Sequence, residues 1–382
     1  MRILFDATPL QTGHRARGIG TYTRELLRAL LLLESDDDFL PIIHGTPDDL
    51  CRDLGFDHLP PRVTPLSLRR PPFGRLSGFA SHQIALPALL RRQRADLFHA
   101  PGFVAALSVP GIPWRVPQPL VVTLHDFLPL RVPELFSGKT VNRLWYRRQM
   151  AAARRATRLI CVSQATRADA IDLLRASPDR CVVVHEGVEK DTFHPAAAGD
   201  QTADPPTILF VGGSFANKNR RRALAAFARL TNATTLPHRM VLVGPDDLSD
   251  AELLSQHPDL DIRRVRRVAH VSQQELAHLY RSADLFLFPS LAEGFGLPVL
   301  EAMASGTPVV TSRASSLPEV AGDAALLVDP TDTDAIAAAV GHALADPTLH
   351  RRLRTAGLAR AAQFTWQTAA QQTLAVYRSM AG

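Results

Sequence analysis

Two glutamates lie in E-x7-E spacing around a short glycine-containing turn, in the stretch Glu293–Glu301 (EGFGLPVLE). An apolar run, 284–288, precedes this stretch and predicts a β-strand whose carboxyl end leads to Glu293. Pro298 suits the first turn of a helix, where its missing N–H costs no hydrogen bond, so Glu301 is expected inside that helix. The start of a helix presents free N–H groups to an anion, and carboxylates accept hydrogen bonds from sugar hydroxyls. The stretch therefore suits both phosphate and sugar groups.

A loop of small residues, Val211–Asn219, joins another apolar run to the helical pattern that follows it. Gly212, Gly213 and Ser214 carry little or no side chain, so the backbone can approach a pyrophosphate closely. Lys218, near the end of the loop, supplies a cation that can neutralise charge on a departing diphosphate. This loop is therefore predicted to bind a diphosphate.

A histidine and an aspartate, His125 and Asp126, directly follow the buried-strand pattern Leu120–Leu124. Because ligands of open parallel sheets bind outside the carboxyl ends of the strands, this pair is predicted to face a ligand. His125 can bond a sugar hydroxyl, and Asp126 can orient the histidine or an acceptor. A histidine that only completes the end of the strand is the alternative.

Glycines also open a helix near the start of the chain, in the loop Gly13–Gly20. Gly18 and Gly20 do not complete a dinucleotide-binding fingerprint, because Thr23 occupies the position of its third glycine. Both glycines are still candidates for contact with a phosphate or with an acceptor substrate.

Short apolar runs alternate with amphipathic runs of helical length along the chain, a pattern typical of parallel sheets with helical crossovers. The runs with strand character are 2–6, 39–44, 97–99, 120–124, 158–162, 181–185, 207–211, 239–243, 261–265, 284–288, 308–311 and 325–328. The runs with helical character are 20–33, 82–91, 140–156, 164–176, 219–230, 272–281, 297–304, 334–344 and a last helix that reaches 380. A stretch rich in proline and arginine, 59–79, is predicted to be a loop.

A break rich in proline and polar residues divides this pattern into two α/β halves. The predicted domains are 1–190 and 207–365, with a linker over 191–206 and a final helical segment over 366–382. A chain of 382 residues suits two such domains better than one core. Two open parallel sheets are expected to share a ligand site in the cleft between them.

The sequence EGFGLPVLEAMASGTPVV (293–310) has Glu293 and Glu301 in E-x7-E spacing. It closely resembles the corresponding sequence of retaining glycosyltransferases of family 4, which have the GT-B fold. The likeness continues in LYRSAD (279–284), SLPEVAG (316–322) and LVDP (327–330). RGIGTYTRELLRAL (17–30) and HDFLPL (125–130) resemble mannosyltransferase-like members. The resemblance implies an α/β protein of two Rossmann-like domains whose parallel sheets face each other across a cleft. It also implies a C-terminal helix that crosses back to the first domain.

By this resemblance, the first domain binds the acceptor and the second binds a nucleotide-sugar donor. Glu301 would hold the ribose hydroxyls, Glu293 would contact the donor sugar, and His125 would also reach that sugar. The catalytic candidates are Glu293, His125, Lys218 and Asp126. The donor-binding candidates are Glu301, Gly18, Gly20, Gly212, Gly213, Ser214, Asn217, Arg222, Gly294, Phe295, Gly296 and Leu297.

The phosphate-binding loop departs from the family pattern, which has an arginine next to the glycine or just before the lysine. Gly213 and Asn217 stand at these two positions. Arg222, one helical turn further on, and Arg220 are candidates to replace that cation. A charged helix surface is the alternative for both arginines.

The formal net charge of +6 comes largely from arginine clusters, and no aromatic stacking pattern accompanies them, so a nucleic-acid partner is not expected. Cys51, Cys161 and Cys181 lack CxxC spacing and are predicted to be buried free thiols. Two Asp-x-Asp stretches, 332–334 and 36–38, are interpreted as a helix cap and a polar turn. Neither a metal nor another cofactor is expected.

No apolar run approaches the ~20 residues that span a bilayer, and the start of the chain lacks the pattern of a secretion signal. A cytoplasmic location is expected. Contact of the basic stretch 59–79 with an acceptor or with a membrane surface is left open.

Together these features predict transfer of a hexose, with retention at its anomeric carbon, to a glycan or lipid-linked saccharide in polysaccharide or glycoconjugate biosynthesis. By resemblance GDP-mannose is the first choice of donor, followed by UDP- and dTDP-hexoses. Domain closure is expected to bring His125 over the sugar. Attack on the front face is preferred, because no carboxylate is obviously placed as a covalent nucleophile. The alternatives are a nucleotide-sugar 2-epimerase on the same fold and a non-catalytic nucleotide-sugar-binding subunit.

Overall fold

The computed structural model describes residues 1–12, 18–69, 77–103, 111–132, 140–196, 205–245 and 248–380. The chain forms two compact units. Unit 1 comprises Met1–Pro129, Phe136–Gly187 and Trp366–Gly382, and unit 2 comprises Leu130–Leu135 and Val188–Thr365.

Unit 1 is built on one parallel sheet. Its strands in the described residues are β1 (Arg2–Asp6), β2 (Asp38–Ile43), β3 (Leu66–Ser67), β4 (Leu97–Ala100), β5 (Leu120–Leu124), β6 (Arg158–Cys161) and β7 (Cys181–Val183). They lie in the order β3-β2-β1-β4-β5-β6-β7, and each neighbouring pair is parallel. The chain changes direction across the sheet between β1 and β4, and the carboxyl ends of two such strands form a crevice that can take a ligand.

Helices connect these strands and cover the sheet. They are α1 (Gly18–Leu32), α2 (Pro47–Leu54), α3 (Ser77–Ala80), α4 (Leu86–Arg92), α5 (Leu128–Arg131), α6 (Thr140–Ala153) and α7 (Gln164–Asp172). Every residue of β4 and β5 is buried, which is expected of central strands covered on both faces.

Unit 2 repeats this architecture with a second parallel sheet. Its strands are β8 (Thr207–Val211), β9 (Arg239–Val243), β10 (Val265–Val268), β11 (Leu285–Phe288), β12 (Val309–Ser312) and β13 (Leu326–Val328), in the order β10-β9-β8-β11-β12-β13. Its helices are α8 (Arg220–Ala233), α9 (Asp250–Gln256), α10 (Gln273–Ser282), α11 (Leu297–Ala304), α12 (Leu317–Ala321), α13 (Thr333–Ala345) and α14 (Pro347–Ala361). The change of direction falls between β8 and β11.

The last helix, α15 (Trp366–Arg378), belongs to unit 1 although it follows unit 2 in the chain. Trp366 lies edge-on to Tyr22 of α1, with ring centroids 5.8 Å apart. Arg378, in the last turn of α15, pairs with Asp37 at 3.0 Å. The predicted return of the C-terminal helix to the first domain is therefore confirmed.

Some predicted elements are wrong. The strand predicted at 261–265 is instead a turn of 3-10 helix, Ile262–Arg264, and β10 begins only at Val265. The Asp261 carboxylate accepts the Arg263 backbone N–H at 3.1 Å, and such a local bond competes with strand pairing. The predicted loop 59–79 contains β3 and the first three residues of α3, and α2, α9 and α14 were not predicted.

Parts of four predicted segments lie outside the described residues: 13–17 of the glycine loop, 70–76 of the basic stretch, 197–204 of the linker and 381–382 of the last segment. In the portion of the chain that is described, no helix is long and apolar enough to cross a membrane. The three cysteines are free thiols; Cys161 and Cys181 are buried as predicted, whereas Cys51 is only half-buried.

Candidate functional site

The glycine loop after β8 packs closely on the loop after β9. Gly212 and Gly213 have φ values of +147° and +59°, conformations that side-chain-bearing residues rarely adopt. The Gly213 N–H donates to Val243 O at 3.2 Å, and the Ser214 N–H donates to Pro245 O at 3.0 Å. A Cβ atom on Gly213 would lie 2.5 Å from that Pro245 oxygen, so only glycine fits here. Backbone packing thus fixes this loop at the carboxyl edge of the sheet.

Lys218 and Glu293, two predicted catalytic residues, form an ion pair. The Lys218 Nζ lies 2.8 Å from Glu293 Oε1, and the two side chains are 18% and 10% exposed. The ammonium also lies 4.9 Å from the centre of the Phe288 ring, within cation–π range. Asn217 donates from Nδ2 to Ala292 O at 3.2 Å, which connects the β8 loop to the β11 loop. The structure therefore brings the lysine, the asparagine and the glutamate of two distant motifs together.

Two serines that follow β12 hold the loop carrying Glu293. The Glu293 N–H donates to Ser315 Oγ at 2.8 Å, and Ser316 Oγ donates to the Phe295 carbonyl at 2.6 Å. The predicted residue Gly294 lies in this loop between the two anchored positions. Ser315 has a φ of +49°, which is uncommon outside glycine. These serines were not predicted as site residues, although Ser316 begins the SLPEVAG segment.

Helix α11 begins at Leu297 directly after Gly296, whose φ is +114°. The N-terminal turn therefore follows the Glu293 loop at the carboxyl edge of the sheet, where a helix start favours an anion. Glu301 lies in the second turn and accepts a hydrogen bond from the Tyr280 hydroxyl at 3.1 Å. Burial, together with the negative charge of Glu301, raises the pKa of Tyr280 well above its usual value, so this hydroxyl stays a donor.

The two candidate replacement arginines differ in their surroundings. Asn219, with a φ of +60°, donates to Pro289 O at 2.9 Å and accepts from Arg222 Nη1 at 3.1 Å. Arg222 is therefore held beside the loop that is predicted to bind phosphate. Arg220 is buried, and after burial itself the charges of Arg221 and Arg220 lower the pKa of His257 at the end of α9. Arg222 is thus better placed than Arg220 to serve the loop.

In unit 1, His125 follows β5 and has both ring nitrogens engaged. Nε2 lies 2.8 Å from Pro101 O, and Nδ1 lies 3.2 Å from the Glu186 carboxylate. The Tyr22 ring packs edge-on against the imidazole, with centroids 4.6 Å apart. The side chains of His125 and Glu186 are only 15% and 5% exposed. A bond from a ring nitrogen to a sugar hydroxyl would therefore displace one of these partners.

A buried hydrogen-bond network supports the Tyr22 ring from behind. The Tyr22 hydroxyl lies 2.9 Å from Thr123 Oγ1, which lies 2.9 Å from His99 Nε2. His99 Nδ1 lies 2.5 Å from the Tyr377 hydroxyl of α15. Burial, and secondarily the charge of His125, lower the pKa of His99 to about 3, so His99 is neutral at pH 7. The network thus connects α15 to the neighbour of His125.

The other predicted residues of unit 1 have simpler surroundings. Asp126 Oδ1 accepts the Leu128 N–H at 2.9 Å, at the start of α5. Gly18 begins α1, and a Cβ atom there would meet no atom within 4 Å. Gly20 is buried in the first turn of the same helix. Asp126 thus turns the chain after β5, and its charge also helps to raise the pKa of His125.

Two buried polar pairs of unit 1 were missed. Glu186 was not predicted as a site residue, although it follows β7, which lies two strands from β5 in the sheet order. Asp6, at the end of β1, accepts from Thr8 Oγ1 at 2.7 Å and from His82 Nε2 at 3.2 Å. Burial alone would raise the pKa of Asp6, but His82 and Thr8 outweigh it and hold that pKa below its usual value.

Metal binding finds no support in the described residues, where no group of three or more His, Cys, Asp or Glu side chains could hold an ion. Asp332 accepts the Asp334 and Ala335 N–H groups at 2.9 Å and so caps α13. Asp37 pairs with the amino group of Met1 at 2.9 Å and with Arg378. Independence from metal stays a prediction.

Two family models match the two halves of the chain. The one described as "Glycosyltransferase Family 4" matches residues 16–192, and the one described as "Glycosyl transferases group 1" matches residues 197–360. A D-inositol 3-phosphate glycosyltransferase from Frankia alni is 32% identical over 95% of this chain and 94% of its own length. The chain belongs to the family 4, group 1 glycosyltransferases.

Mannosyltransferases are among the relatives of this glycosyltransferase. O-antigen chain mannosyltransferase B from Escherichia coli is 29% identical over 99% of this chain and 100% of its own length. The MMP alpha-(1->4)-mannosyltransferase from Mycolicibacterium hassiacum is 35% identical over 68% of this chain and 65% of its own length.

Solved structures of low sequence identity share the fold. A sucrose-phosphate synthase from Thermosynechococcus elongatus has a TM-score of 0.74 at 24% identity and covers 100% of this chain and 99% of its own. The Anabaena protein HepE, in complex with UDP and glucose, has a TM-score of 0.71 at 20% identity and covers 99% of this chain and 100% of its own. The predicted family, enzyme class and GT-B fold of two Rossmann-like domains are confirmed.

Proposed function

We propose that this glycosyltransferase transfers mannose from GDP-mannose to a glycan or lipid-linked saccharide acceptor in polysaccharide assembly. The observation that carries the choice of sugar is the full-length similarity to the E. coli O-antigen chain mannosyltransferase B. The M. hassiacum relative is also named as a mannosyltransferase, which supports the same choice.

We assign donor binding to unit 2. The glycine loop, the start of α11 and Lys218 place N–H groups and a cation at the switch point between β8 and β11, where phosphate is favoured. An ammonium has three N–H donors, and Glu293 uses one of them. Glu301, oriented by Tyr280, is assigned to the ribose hydroxyls. Arg222 is assigned as the second cation.

The proposed reaction retains the anomeric configuration. The bond between the anomeric carbon and the diphosphate oxygen breaks, and the acceptor oxygen bonds to the same face of that carbon. The electron pair of the broken bond stays on the diphosphate, which takes up the proton that the acceptor hydroxyl loses. Lys218 and the N-terminal turn of α11 offset the charge that develops on the diphosphate. The engagement of Glu293 with Lys218 argues against a covalent role for this glutamate on the sugar.

The first test is a thermal-shift screen of the purified protein against GDP, UDP, dTDP and ADP and their common sugars. A ligand present at 100 times its Kd should stabilise the folded state by about 2.7 kcal/mol. Selective stabilisation by GDP and GDP-mannose is expected. Stabilisation by another nucleotide would discard GDP-mannose as the donor.

A product assay then tests the reaction itself. Incubation of GDP-mannose with a panel of saccharide acceptors should yield an α-linked mannoside, because the donor is α-configured. A β-linked product would contradict retention. Conversion of the donor to its 2-epimer without any acceptor would contradict transfer.

A further inference from the structure

We propose that Glu186 is a positioning residue that holds His125 as a doubly protonated imidazolium, and that glycosyl transfer uses His125 in this charged form. The use of the charged form in transfer rests on the proposed function, whereas the protonation of His125 concerns unit 1 alone. The sequence alone does not indicate that Glu186 and His125 form a pair.

The two hydrogen-bond partners of His125 determine where its protons are. Pro101 O is a carbonyl, which can only accept, so Nε2 at 2.8 Å must carry a hydrogen. Nδ1 then faces the Glu186 carboxylate at 3.2 Å. A lone pair on Nδ1 would oppose a carboxylate lone pair, and one shared proton removes this repulsion. With the proton on Nδ1, a cation faces an anion.

The charged groups around the ring favour the proton on His125. Burial lowers the pKa of His125, but the hydrogen bond and charge of Glu186 outweigh burial, and the Pro101 carbonyl and Asp126 add to this effect. Two other titratable side chains near the ring, within the described residues, carry no charge at pH 7. His99 is neutral, and burial raises the pKa of Tyr22 well above its usual range, so that it keeps its proton.

The ring is also fixed in orientation, as a positioned cation requires. Tyr22 packs against it edge-on, and a Cβ atom on Gly102 would lie 3.0 Å from its Cδ2. With both nitrogens occupied, the imidazolium acts through its charge rather than as a proton acceptor. His125 therefore does not serve as a general base.

Glu186→Gln is the decisive variant, because a glutamine amide can donate to a neutral Nδ1 without changing the shape of the site. The matched control is Asp37→Asn, which neutralises another buried carboxylate of unit 1, one that pairs with Met1 and Arg378 instead of a histidine. Glu186→Asp keeps the charge and serves as the conservative variant.

Histidine-selective ¹⁵N NMR gives a readout that needs no substrate, with the His125 signals assigned by their loss in His125→Gln. The wild type and Asp37→Asn should show both ring nitrogens of His125 protonated at pH 7. In Glu186→Gln, His125 should titrate at least one pH unit lower than in the wild type, in line with the usual effect of an adjacent carboxylate. A neutral His125 in the wild type, or an unchanged titration in Glu186→Gln, would overturn the charge assignment.

Activity measurements then test whether transfer uses the charged form of His125. Wild-type kcat should be constant at low pH and fall as His125 loses its proton, and Glu186→Gln should move this alkaline limb to lower pH by the same shift that NMR reports. Glu186→Asp should restore most of the wild-type profile. If kcat does not change over the pH range in which His125 titrates, transfer does not use the charged form. Glu186 would then still hold His125 in that form. A donor other than GDP-mannose would leave both results intact.

Discussion

In unit 2 the ion pair between Lys218 and Glu293 is partly exposed, with side-chain exposures of 18% and 10%, whereas in unit 1 the network behind His125 is closed to solvent. The unit 2 groups come from loops that each belong to a short local motif. The unit 1 groups come from positions as far apart as Tyr22 and Tyr377. Both sets of side chains lie near the carboxyl ends of parallel strands, but they differ in their access to solvent.

A partly exposed ion pair contributes less to stability than a fully buried network and can exchange partners with a ligand at smaller cost. A buried network costs about 1–3 kcal/mol for each partner that is removed without replacement. Substitutions at the unit 2 ion pair should therefore affect the ligand first, and substitutions in the buried network of unit 1 should affect the fold first.

The largest effect is expected from Lys218→Gln. Loss of a cation that offsets charge in the transition state should lower kcat by a factor of about 10²–10³. The thermal midpoint should change less than in a variant of the buried unit 1 network, because the pair is partly solvated. Steady-state kinetics and thermal unfolding measure the two quantities. Arg263→Gln, which removes an exposed arginine of the same unit, is the control, and equal kinetic losses in both variants would refute the assignment.

The next effect concerns pH and unit 1. The pKa of His99 is about 3 in the folded protein, against an ordinary value of 6.5 for the unfolded chain, so the unfolded chain binds the extra proton first. This contribution to stability is complete above pH 6.5 and is lost as pH falls towards 3, by up to about 1.4 kcal/mol per pH unit. Urea unfolding of the wild type and His99→Gln should show a smaller pH slope in the variant. Equal slopes would mean that His99 is not the group responsible.

A matched pair of tyrosines compares the two units directly. Tyr377→Phe removes the hydroxyl beside His99 Nδ1 in a closed network and should lower the free energy of unfolding by about 1–3 kcal/mol. Tyr280→Phe removes the donor to Glu301, which is only half-buried and can bind water instead, so a smaller loss is expected. Denaturant unfolding ranks the two variants. A larger loss in Tyr280→Phe would reverse the proposed contrast.

The smallest effect is expected from Gly18→Ala. An added Cβ meets no atom within 4 Å, and alanine loses less conformational freedom on folding than glycine, so the fold should be unchanged or slightly more stable. If Gly18 contacts a phosphate, as the sequence predicts, the variant should still bind the donor more weakly. Isothermal titration calorimetry with the donor measures this affinity. An affinity equal to that of the wild type would show that Gly18 is not part of the donor site.

The accuracy of the sequence predictions follows the same division. The strands flanking the unit 2 motifs were predicted to within about one residue, and the motifs themselves are short enough that one loop brings Lys218 to the glycines. The contact between Lys218 and Glu293 spans 75 positions, but each lies in a recognisable motif. By contrast, Glu186 is 61 positions from His125, and the sequence does not indicate that the two side chains meet.

Individual side-chain hydrogen bonds account for other differences between the predicted and observed structure. Asp261 replaces the first part of a predicted strand by a turn, because its carboxylate satisfies the backbone N–H of Arg263. Ser315 and Ser316 hold the Glu293 loop through contacts that only the folded sheet creates, since they follow a different strand. Periodicity predicts which segments are apolar but does not indicate which polar side chains meet at a sheet edge.

The position of α15 also has a consequence for synthesis of the protein on the ribosome. Residues 188–365 are continuous, so unit 2 has all of its strands and helices before Trp366 is added. The strands of unit 1 are made first, yet the helix that covers Tyr22 and supplies the hydroxyl to His99 emerges last. Domains usually complete their folding in the order in which they are translated. Here the N-terminal unit is the first to be made and the last to be completed.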